Sequence, residues 1–364
     1  MNNIVMPARL PTASSIWNSF RSSNKRHIII TGDRKIGKTT LLNSLFPDSL
    51  PYGITTYAVY RTAVYMRENG TSDDITIGIY DDSLPGPENK MRPLKDAFIS
   101  KGTALLDKLA NSPDEWVSID EIGYLETECP EYCSAIESLF EQKRVVAVVR
   151  KQPLPFLQSI IERNNVFVID LDDPFGNNSC VIMASGMGTR FGGNKLMADF
   201  HGKPMIQCAL DATEGIFQKR VVVTRHTDVA ELCRTHGVET IIHDLPHRSD
   251  TVRLGMEAIG ESDSCVFCPG DQPLLSRETV ASLALSAKND SDKIWRVSCD
   301  GTPGAPVLFP EWSFDELHCL PQGKGGSWVM KKHPEKVRAV EIDNQYELVD
   351  ADTPEILDML KSHI

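Results

Sequence analysis

Two glycine-rich loops, each directly after a short apolar run, set the organisation of this chain. The first loop follows RHIIIT and leads into KTTLLNSLF, whose apolar residues have helical spacing. The second loop follows CVIMA and is rich in glycine from 186 to 193. A strand, a glycine loop and a helix in succession are typical of the start of an α/β domain. The 364 residues therefore predict two α/β domains, each close to the usual domain size.

Short apolar strands alternate with helical segments through both halves of the chain. This alternation predicts two three-layer α/β domains with mostly parallel sheets. The stretch DDPFGNNS interrupts the alternation, and its Pro, Gly and Asn residues favour a linker. We therefore predict an N-terminal arm over 1–25, a first domain over 26–173, a linker over 174–179 and a second domain over 180–364.

Charge and cysteine content narrow the class of protein. The chain has 38 basic and 50 acidic residues, a net charge of -12, which argues against a protein that coats nucleic acid. No apolar stretch approaches the roughly 18–20 residues of a membrane span, and the N-terminus lacks a secretory apolar region. Nine cysteines, an odd and sparse set, favour a reducing compartment. We expect a cytoplasmic protein whose partners are small anionic molecules, with no nucleic acid and no membrane.

The first glycine loop fits the pattern G-x-x-x-x-G-K-[ST]. Gly32 and Gly37 would let backbone N–H groups approach a phosphate closely, at the positive end of a helix. Lys38 would reach the β- and γ-phosphates of a nucleotide, and the Thr39 hydroxyl would bind Mg²⁺. Thr40 completes the predicted nucleotide-binding set. The flanking strand and helix make this a much more specific match than the pattern alone.

A second acidic element suits that loop. The buried-strand run WVSIDEIG ends on two carboxylates. Asp120 is the candidate metal ligand, because a strand-end aspartate holds Mg²⁺ in folds that use such a loop. Glu121 is the candidate group to orient or deprotonate an attacking water. A solvated acidic pair at a strand end is the structural alternative.

The span from Arg26 to about Leu171 resembles a family of small P-loop nucleoside-triphosphatases. The resemblance rests on the glycine loop, the TTY…VYRTAVYMRENG…IGIYD region, IDEIGYLE and VVAVVRK…PFLQSI. It implies hydrolysis of nucleoside triphosphates such as ATP or GTP with Mg²⁺. The residues that match the family's functional motifs are Gly32, Gly37, Lys38, Thr39, Asp120 and Glu121. Arg150 is a further candidate for a phosphate-facing cation, with an ordinary surface role as the alternative.

The second glycine loop, VIMASGMGTRFGGNKL, carries cations as well as glycines. It lacks the Gly-Lys-Ser/Thr sequence of the first loop, and its embedded arginine does not suit a dinucleotide fingerprint. Gly186 and Gly188 would allow close backbone approach, while Arg190 and Lys195 would meet phosphate charge. Two cations on one phosphate chain suit attack at the α-phosphate with pyrophosphate leaving, because charge builds on the bridging oxygen.

This second loop resembles the opening motif of the molybdenum-cofactor-type nucleotidyltransferases, L-A-x-G-x-G-x-R-x-G-x-x-K. The resemblance extends over about Cys180 to Leu360 through HGKP, HDLPHRSDTVRLGM, CPGDQPLL, GTPGAPVLF, LPQGKGG and DADTPEIL. It implies a Rossmann-like second domain. It also implies that Arg190, Lys195 and Asp271 are catalytic, with Asp271 binding the catalytic Mg²⁺.

The same resemblance assigns binding roles, which we state as expectations. Nucleotide-binding positions are Ala184, Gly186, Gly188, Asp244, Ser249 and Thr251, and Gly255 would also line the base pocket. Asp350 and Asp352 would add charge at the metal, although Asp352 or Thr353 could instead cap the last helix. Arg248 and Lys324 are candidate cations for the acceptor phosphate. The family often has a histidine where this chain has Ala305.

The segment Ser249-Asp250-Thr251-Val252 is closer to the cytidylyl than to the guanylyl enzymes of this group. The predicted reaction is therefore nucleotidyl transfer from CTP, favoured over GTP, to the terminal phosphate of molybdopterin, with an attached NTP-hydrolysing domain. A client molybdoenzyme would be a partner. Two alternatives stay open: a sugar phosphate or other alcohol phosphate as acceptor, and a non-catalytic, nucleotide-gated cofactor chaperone.

Overall fold

The computed structural model describes residues 10–85 and 89–363. Contacts between Cα atoms divide the chain into two compact units. The first-loop unit is Asn24–Asp173, and the second-loop unit combines Met1–Ser23 with Pro174–Ile364. Helix α1, Ala13–Ser22, thus precedes the first-loop unit in the chain but belongs to the second-loop unit.

In the described part of the first-loop unit, eight strands form one mixed sheet. They are β1 His27–Thr31, β2 Gly53–Val59, β3 Ala63–Glu68, β4 Asp74–Tyr80, β5 Met91–Pro93, β6 Trp116–Ile122, β7 Arg144–Val149 and β8 Val166–Asp170. Their order is β5-β4-β3-β2-β6-β7-β1-β8. The neighbouring strands β2, β6, β7, β1 and β8 pair in parallel. Strands β2, β3, β4 and β5 pair antiparallel and extend the sheet on one side. Residues 69–73 join β3 to β4.

Helices cover this sheet. They are α2 Lys38–Leu45, α3 Lys95–Ala97, α4 Thr103–Asn111, α5 Tyr124–Thr127, α6 Pro130–Gln142 and α7 Pro155–Ile161, with a π-helical segment Phe98–Gly102 between α3 and α4. Every residue of β1 is buried, and so is nearly all of β7. Strands with both faces buried read as continuous apolar runs, which is why RHIIIT and VVAVV were visible in the sequence.

The second-loop unit contains a seven-stranded sheet of order β13-β12-β9-β14-β16-β15-β17 and a small ribbon of β10 with β11. The strands are β9 Asn178–Ala184, β10 Asp199–Phe200, β11 Lys203–Pro204, β12 Lys219–Thr224, β13 Glu239–Ile242, β14 Ser264–Pro269, β15 Ile294–Cys299, β16 Thr302–Pro310 and β17 Val337–Glu341. The helices are α8 Met205–Thr213, α9 Thr227–Thr235, α10 Arg248–Ile259, α11 Arg277–Asn289, α12 Phe314–His318, α13 Ser327–Lys332 and α14 Pro354–Lys361. Two three-layer α/β domains with mostly parallel sheets are thus confirmed.

Helix α1 differs from the arm predicted over 1–25. Ile16 and Phe20, one helical turn apart, are both buried, and α1 packs on α11. The Ser19 hydroxyl forms a 2.7 Å hydrogen bond with the Ser286 hydroxyl of α11. The polar composition of this segment hid the helix, because serines that pair across a helix interface can be buried without an unmet hydrogen bond.

The predicted linker 174–179 also differs from the structure, since β9 begins at Asn178. Asn178 is buried, and its side-chain amide bonds to the Phe175 carbonyl and to the Ser264 hydroxyl. An asparagine whose amide is satisfied in this way can continue a strand rather than a turn. Among the described residues, no helix has both the length and the apolar character that crossing a membrane requires.

Candidate functional site

The first glycine loop joins the buried strand β1 to α2. Gly32 and Gly37 adopt φ angles of 139° and 107°, which L side chains rarely adopt. A Cβ atom on Gly32 would also lie 3.2 Å from the Leu171 side chain. The loop therefore requires glycine at both predicted positions for backbone reasons.

Lys38 begins α2 and is buried. Its Nζ donates hydrogen bonds to the carbonyls of Gly32 at 2.9 Å and Asp33 at 2.8 Å. The amine is thus held inside the curve of the loop by neutral acceptors. Its charge remains available to an anion that enters the loop.

Asp120 is buried at the end of β6 and accepts a hydrogen bond from the Thr39 hydroxyl. Burial raises the pKa of Asp120 above its ordinary value, and the neighbouring Glu121 charge adds to the shift. The structure thus brings together the hydroxyl and the carboxylate predicted to hold Mg²⁺. Within residues 10–85 and 89–363, no group of three or more His, Cys, Asp or Glu side chains is arranged to hold a metal. One hydroxyl and one carboxylate suit Mg²⁺, which keeps waters and substrate phosphate oxygens as its other ligands.

Glu121 faces the same region as Arg150. The Arg150 Nε lies 2.7 Å from Glu121 Oε1, and its guanidinium lies over the Tyr124 ring at 5.6 Å. Both side chains line a cavity of about 750 Å³ that also includes Lys38. Arg150 therefore faces the cavity rather than bulk solvent. Thr40, by contrast, is an exposed residue on the first turn of α2.

This cavity combines positive charge with aromatic walls. Its cations are Arg34, Lys35, Lys38, Arg61, Lys90 and Arg150, and its tyrosines are Tyr57, Tyr60, Tyr80 and Tyr124. Volumes of about 300–1,000 Å³ are typical of small-molecule sites. The cavity is suited to a polyanion that carries a flat ring.

The second glycine loop leaves β9 at Ala184, which is buried. Gly188 has a φ of 59°, and a Cβ atom there would lie 2.3 Å from the Gly193 carbonyl oxygen. The loop therefore closes on itself at a point that admits only glycine. The carbonyl oxygen of Gly186 lies 2.9 Å from His226 Nε2, within hydrogen-bond distance.

Lys195 is the centre of a charged cluster in the second-loop unit. Its Nζ lies 2.6 Å from Asp271 Oδ2 and 2.7 Å from Asp352 Oδ1, and Arg190 Nη1 lies 3.2 Å from Asp352 Oδ2. Burial alone would lower the pKa of Lys195, but the two carboxylates outweigh it and raise the pKa. The bond from Lys195 lowers the pKa of Asp352. All three predicted catalytic residues of this unit thus meet at one place.

The segment after β17 supplies the other carboxylates of the cluster. Ala351 N–H donates to the Asp271 carbonyl at 2.9 Å, which ties the two segments together. Burial, with the Asp271 charge, raises the pKa of Asp350, whose carboxylate accepts from Gln272 Nε2 at 3.0 Å. Thr353, not Asp352, caps α14. The capping alternative for Asp352 is therefore wrong, and its carboxylate is committed to the cations.

The predicted base-binding residues gather at the start of α10. Ser249 and Thr251 are buried there, and Ser249 Oγ accepts from the Gly323 N–H at 3.2 Å. Asp244 is exposed in the preceding loop. Gly255 was predicted to line this pocket, but a Cβ on it would meet Val181 at 2.5 Å. Gly255 instead allows α10 to pack closely on β9.

The predicted acceptor-side cations also lie near one another in the fold. Arg248 Nε would lie 3.1 Å from a Cβ atom on Gly325, so the side chain packs over the LPQGKGG loop. Lys324 is exposed on that same loop. The sequence interpretation missed three polar residues at the strand ends: Arg225, His226 and His243. Their position directly after apolar strands was the available signal, because ligands of open α/β sheets bind at the carboxyl ends of strands.

Family models match both units. Residues 180–337 match the MobA-like NTP transferase domain, and residues 89–174 match the NTPase model. The predicted combination of a P-loop NTPase domain with a nucleotidyltransferase-like domain is thus confirmed. The NTPase match begins after the first glycine loop, so that loop is supported by its geometry.

Relatives cover parts of the chain. A 3-deoxy-manno-octulosonate cytidylyltransferase of Neisseria meningitidis serogroup A is 34% identical over 91 residues, 24% of this chain and 36% of that protein. A probable molybdenum cofactor guanylyltransferase of Bacillus cereus is 31% identical over 119 residues, 31% of this chain and 58% of that protein. The solved structure of Rv0371c from Mycobacterium tuberculosis H37Rv has a TM-score of 0.46 and 18% identity, covering 52% of this chain and 100% of that one. The chain thus spans about a third of the first curated relatives.

Proposed function

We propose that this chain transfers a nucleotidyl group from an NTP, CTP in preference to GTP, to the terminal phosphate of molybdopterin. The first-loop unit hydrolyses nucleoside triphosphates. The observation that carries the proposal is the Lys195 cluster, in which two cations and two carboxylates converge beside a glycine loop. The match to the MobA-like NTP transferase domain over residues 180–337 supports the same reaction class.

The reaction requires placement and charge more than proton transfer. An oxygen of the acceptor phosphate attacks the α-phosphorus in line, the new P–O bond forms, and the bond to the leaving pyrophosphate breaks. A phosphate is already ionised near neutral pH, so no general base is needed. Arg190 and Lys195 stabilise the charge that builds on the phosphate oxygens, and the glycine loop positions the chain of phosphates.

Divalent metal belongs to this proposal in both units. Asp271 would hold Mg²⁺ in the second-loop unit, and Thr39 with Asp120 would hold it in the first. The ion would supply positive charge to phosphate oxygens at each place. Hydroxyl and carboxylate oxygens are the ligands that Mg²⁺ prefers, so the residues present fit it. Glu121 is proposed to orient the attacking water in the NTPase, where its Arg150 contact fixes the carboxylate.

The proposal also specifies the nucleotide base, the cellular compartment and the protein that receives the product. Ser249 and Thr251, buried at the start of α10, favour CTP through their resemblance to the cytidylyl enzymes. The two named relatives are a cytidylyl and a guanylyl enzyme, so both bases need testing. Nine free cysteines support a reducing cytoplasm, and a client molybdoenzyme would receive the product.

Product analysis tests the proposal directly. The full chain is incubated with Mg²⁺, molybdopterin and each of the four common NTPs, and pyrophosphate and orthophosphate are measured separately. We expect molybdopterin-dependent pyrophosphate with CTP and a pterin cytosine dinucleotide by mass spectrometry. Pyrophosphate should vanish in Asp271→Ala and persist in Lys38→Ala, which a non-catalytic chaperone could not show.

Two other outcomes would redirect the assignment. Pyrophosphate formed with 3-deoxy-manno-octulosonate or a sugar phosphate, but never with molybdopterin, would keep the enzyme class and replace the acceptor. Orthophosphate alone under every condition would show that the transferase assignment is wrong.

A further inference from the structure

Three polar residues of the second-loop unit stand side by side at one edge of its sheet. Ser185, Arg225 and His243 directly follow the last residues of β9, β12 and β13, which are register partners of one another. The His243 N–H donates to the Thr224 carbonyl at 3.0 Å and so continues the ladder. Ligands of open α/β sheets bind at this edge.

The hydrogen bonds around His243 determine where its proton lies. Its Nδ1 is 3.2 Å from the Leu245 backbone nitrogen, whose N–H can only donate, so Nδ1 carries no proton. The neutral ring therefore bears its hydrogen on Nε2, which lies 2.8 Å from Ser185 Oγ. Burial, with the nearby Arg225 charge, lowers the pKa of His243, which agrees with a neutral ring.

The hydroxyl hydrogen of Ser185 also has a fixed direction. Its hydroxyl donates to the Val223 carbonyl at 3.0 Å, so toward His243 it can only accept. The direction of the chain is therefore Leu245 N–H to His243 Nδ1, His243 Nε2–H to Ser185 Oγ, and Ser185 O–H to Val223 O. One lone pair of Ser185 Oγ stays available, and the side chain is only half-buried.

The surrounding contacts make this arrangement rigid. Arg225 Nε donates to the Ser185 carbonyl at 2.8 Å, and its Nη2 donates to the Leu245 carbonyl at 3.0 Å. Thr251 Oγ1, on the predicted base-binding segment, lies 3.5 Å from His243 Nε2. A ligand that contacts Ser185 Oγ therefore meets a hydrogen-bond acceptor, because the hydroxyl hydrogen is already donated to the Val223 carbonyl.

We infer that His243 is a positioning residue that makes Ser185 a fixed hydrogen-bond acceptor for the nucleotide base, so that the site selects a pyrimidine bearing an amino group. Cytosine presents an amino donor where uracil presents a carbonyl acceptor. With uracil, its carbonyl oxygen would face Ser185 Oγ, and neither acceptor would have a donor. Unpaired polar groups of this kind are how a polar site rejects a close analogue. The inference rests on the proposed function, in that the second glycine loop binds the nucleotide, and it goes beyond it in separating CTP from UTP.

Two substitutions of His243 test this role. His243→Leu removes both ring nitrogens and frees the Ser185 hydroxyl to turn, whereas His243→Gln keeps an N–H donor at a similar reach. Steady-state kcat and KM are measured for CTP and UTP by pyrophosphate release with molybdopterin. The selection of CTP over UTP in kcat/KM should fall about three- to tenfold in His243→Leu, the range of one neutral hydrogen bond. The change should lie in KM, with kcat within about twofold, and His243→Gln should restore most of the selection.

Equilibrium binding separates this inference from the proposed reaction. CTP and UTP affinities are measured by calorimetry in a Lys38→Ala background, so that the first loop does not contribute. If no acceptor gives pyrophosphate, the proposed function fails, while the CTP-to-UTP affinity ratio still reports on His243. Equal wild-type affinities, or a His243→Leu protein that weakens both nucleotides alike, would overturn the inference. His236→Leu, which changes an exposed imidazole at the end of α9, is the matched control.

Discussion

Lys38 and Lys195 follow the two glycine loops and are both buried, yet their charges are balanced in different ways. Lys38 donates to two carbonyl oxygens of its own loop, at 2.9 and 2.8 Å. Lys195 contacts two carboxylates, at 2.6 and 2.7 Å, that come from distant parts of the chain. In each case the loop sequence positions the lysine. A phosphate that binds Lys38 replaces contacts to neutral carbonyl oxygens, whereas a phosphate that binds Lys195 replaces contacts to carboxylates.

The two sites therefore present different fields to the same class of ligand. Around Lys38 the loop keeps a net positive charge that attracts a polyphosphate directly. Around Lys195 the carboxylates of Asp271 and Asp352, with Asp350 nearby, offset the two cations. A phosphate chain is admitted there with less repulsion when a divalent cation occupies the carboxylates.

The largest expected effect comes from removing Lys195. Lys195→Ala should lower the rate of pyrophosphate release about 10²–10³-fold, the usual effect of losing one group that stabilises transition-state charge. Orthophosphate release by the first-loop unit should change less than about twofold. Separate assays of the two products check this, with Lys219→Ala, at a half-buried position whose amine lies 3.3 Å from Glu239 Oε2, as control. A parallel loss of both products would mean that the two lysines serve one shared reaction.

A second large effect concerns α1, which belongs to only one of the two units. Phe20→Ala should destabilise the second-loop unit by about 3 kcal/mol, because Phe20 is buried and truncating a buried phenylalanine leaves a cavity. Hydrogen exchange measured peptide by peptide should show faster opening in 178–342 and no change in 27–170. Ser14→Ala, at an exposed position of the same helix, is the control. Equal effects in both units would contradict the division.

The elements that could be predicted from sequence are those that short-range order determines. The first loop was visible because Gly32, Gly37 and Lys38 lie within one segment between a buried strand and a helix. Lys195 and Asp271 were assigned to one site through the resemblance to the nucleotidyltransferases, which rests on short local motifs. Each depends on chemistry that a few adjacent residues already display.

The missed features depend on contacts between distant segments. Asp352 was predicted either to add charge at the metal or to cap the last helix, and only the fold decides between the two by placing its carboxylate against Lys195. The only local signal for His243 is its position directly after an apolar strand, and its role comes from the register alignment of three strands. Helix α1 resembles a polar arm until the buried Ser19–Ser286 contact is known.

Chelation should affect the two loops unequally. Nucleotide affinity in EDTA should fall at least about tenfold in the second-loop unit, relative to the change in the first, because Asp271 and Asp352 then repel the phosphates. Calorimetry in Lys38→Ala reports the second site, and calorimetry in Lys195→Ala reports the first. Asp352→Asn should reduce the metal dependence of the second site. Equal losses at both sites would show that the carboxylate partners do not set the difference.

The smallest expected effect is an opposite pH dependence of the stability that Glu126 and Asp352 contribute to their units. Burial raises the pKa of Glu126, in the first-loop unit, to about 7, so the folded state binds its proton more tightly than the unfolded chain does. The stability that it contributes is full below the ordinary pKa and is lost as pH rises through about 7. For Asp352 the pKa is lowered, so its contribution is present near neutrality and is lost only in acid. Lowering pH from 8 to 6 should therefore increase the Glu126 contribution by about 1 kcal/mol and leave the Asp352 contribution unchanged. Burial lowers the pKa of His27, also in the first-loop unit, to about 4, so protonation of the unfolded chain offsets part of this gain.

Hydrogen exchange corrected for intrinsic rates measures both units in one sample. Glu126→Gln should remove the stabilisation of the first-loop unit at pH 6 and leave only the opposite trend from His27, since the amide oxygen can still accept the Gly123 N–H that the carboxylate now accepts at 2.8 Å. A stabilisation at pH 6 that persists in Glu126→Gln would assign it to another carboxyl, with Asp120 the next candidate because burial also raises its pKa. A change in the Asp352 contribution over the same range, taken as the difference between the wild type and Asp352→Asn, would contradict the charge balance described for Lys195, because that pairing is complete well above the ordinary pKa of an aspartate.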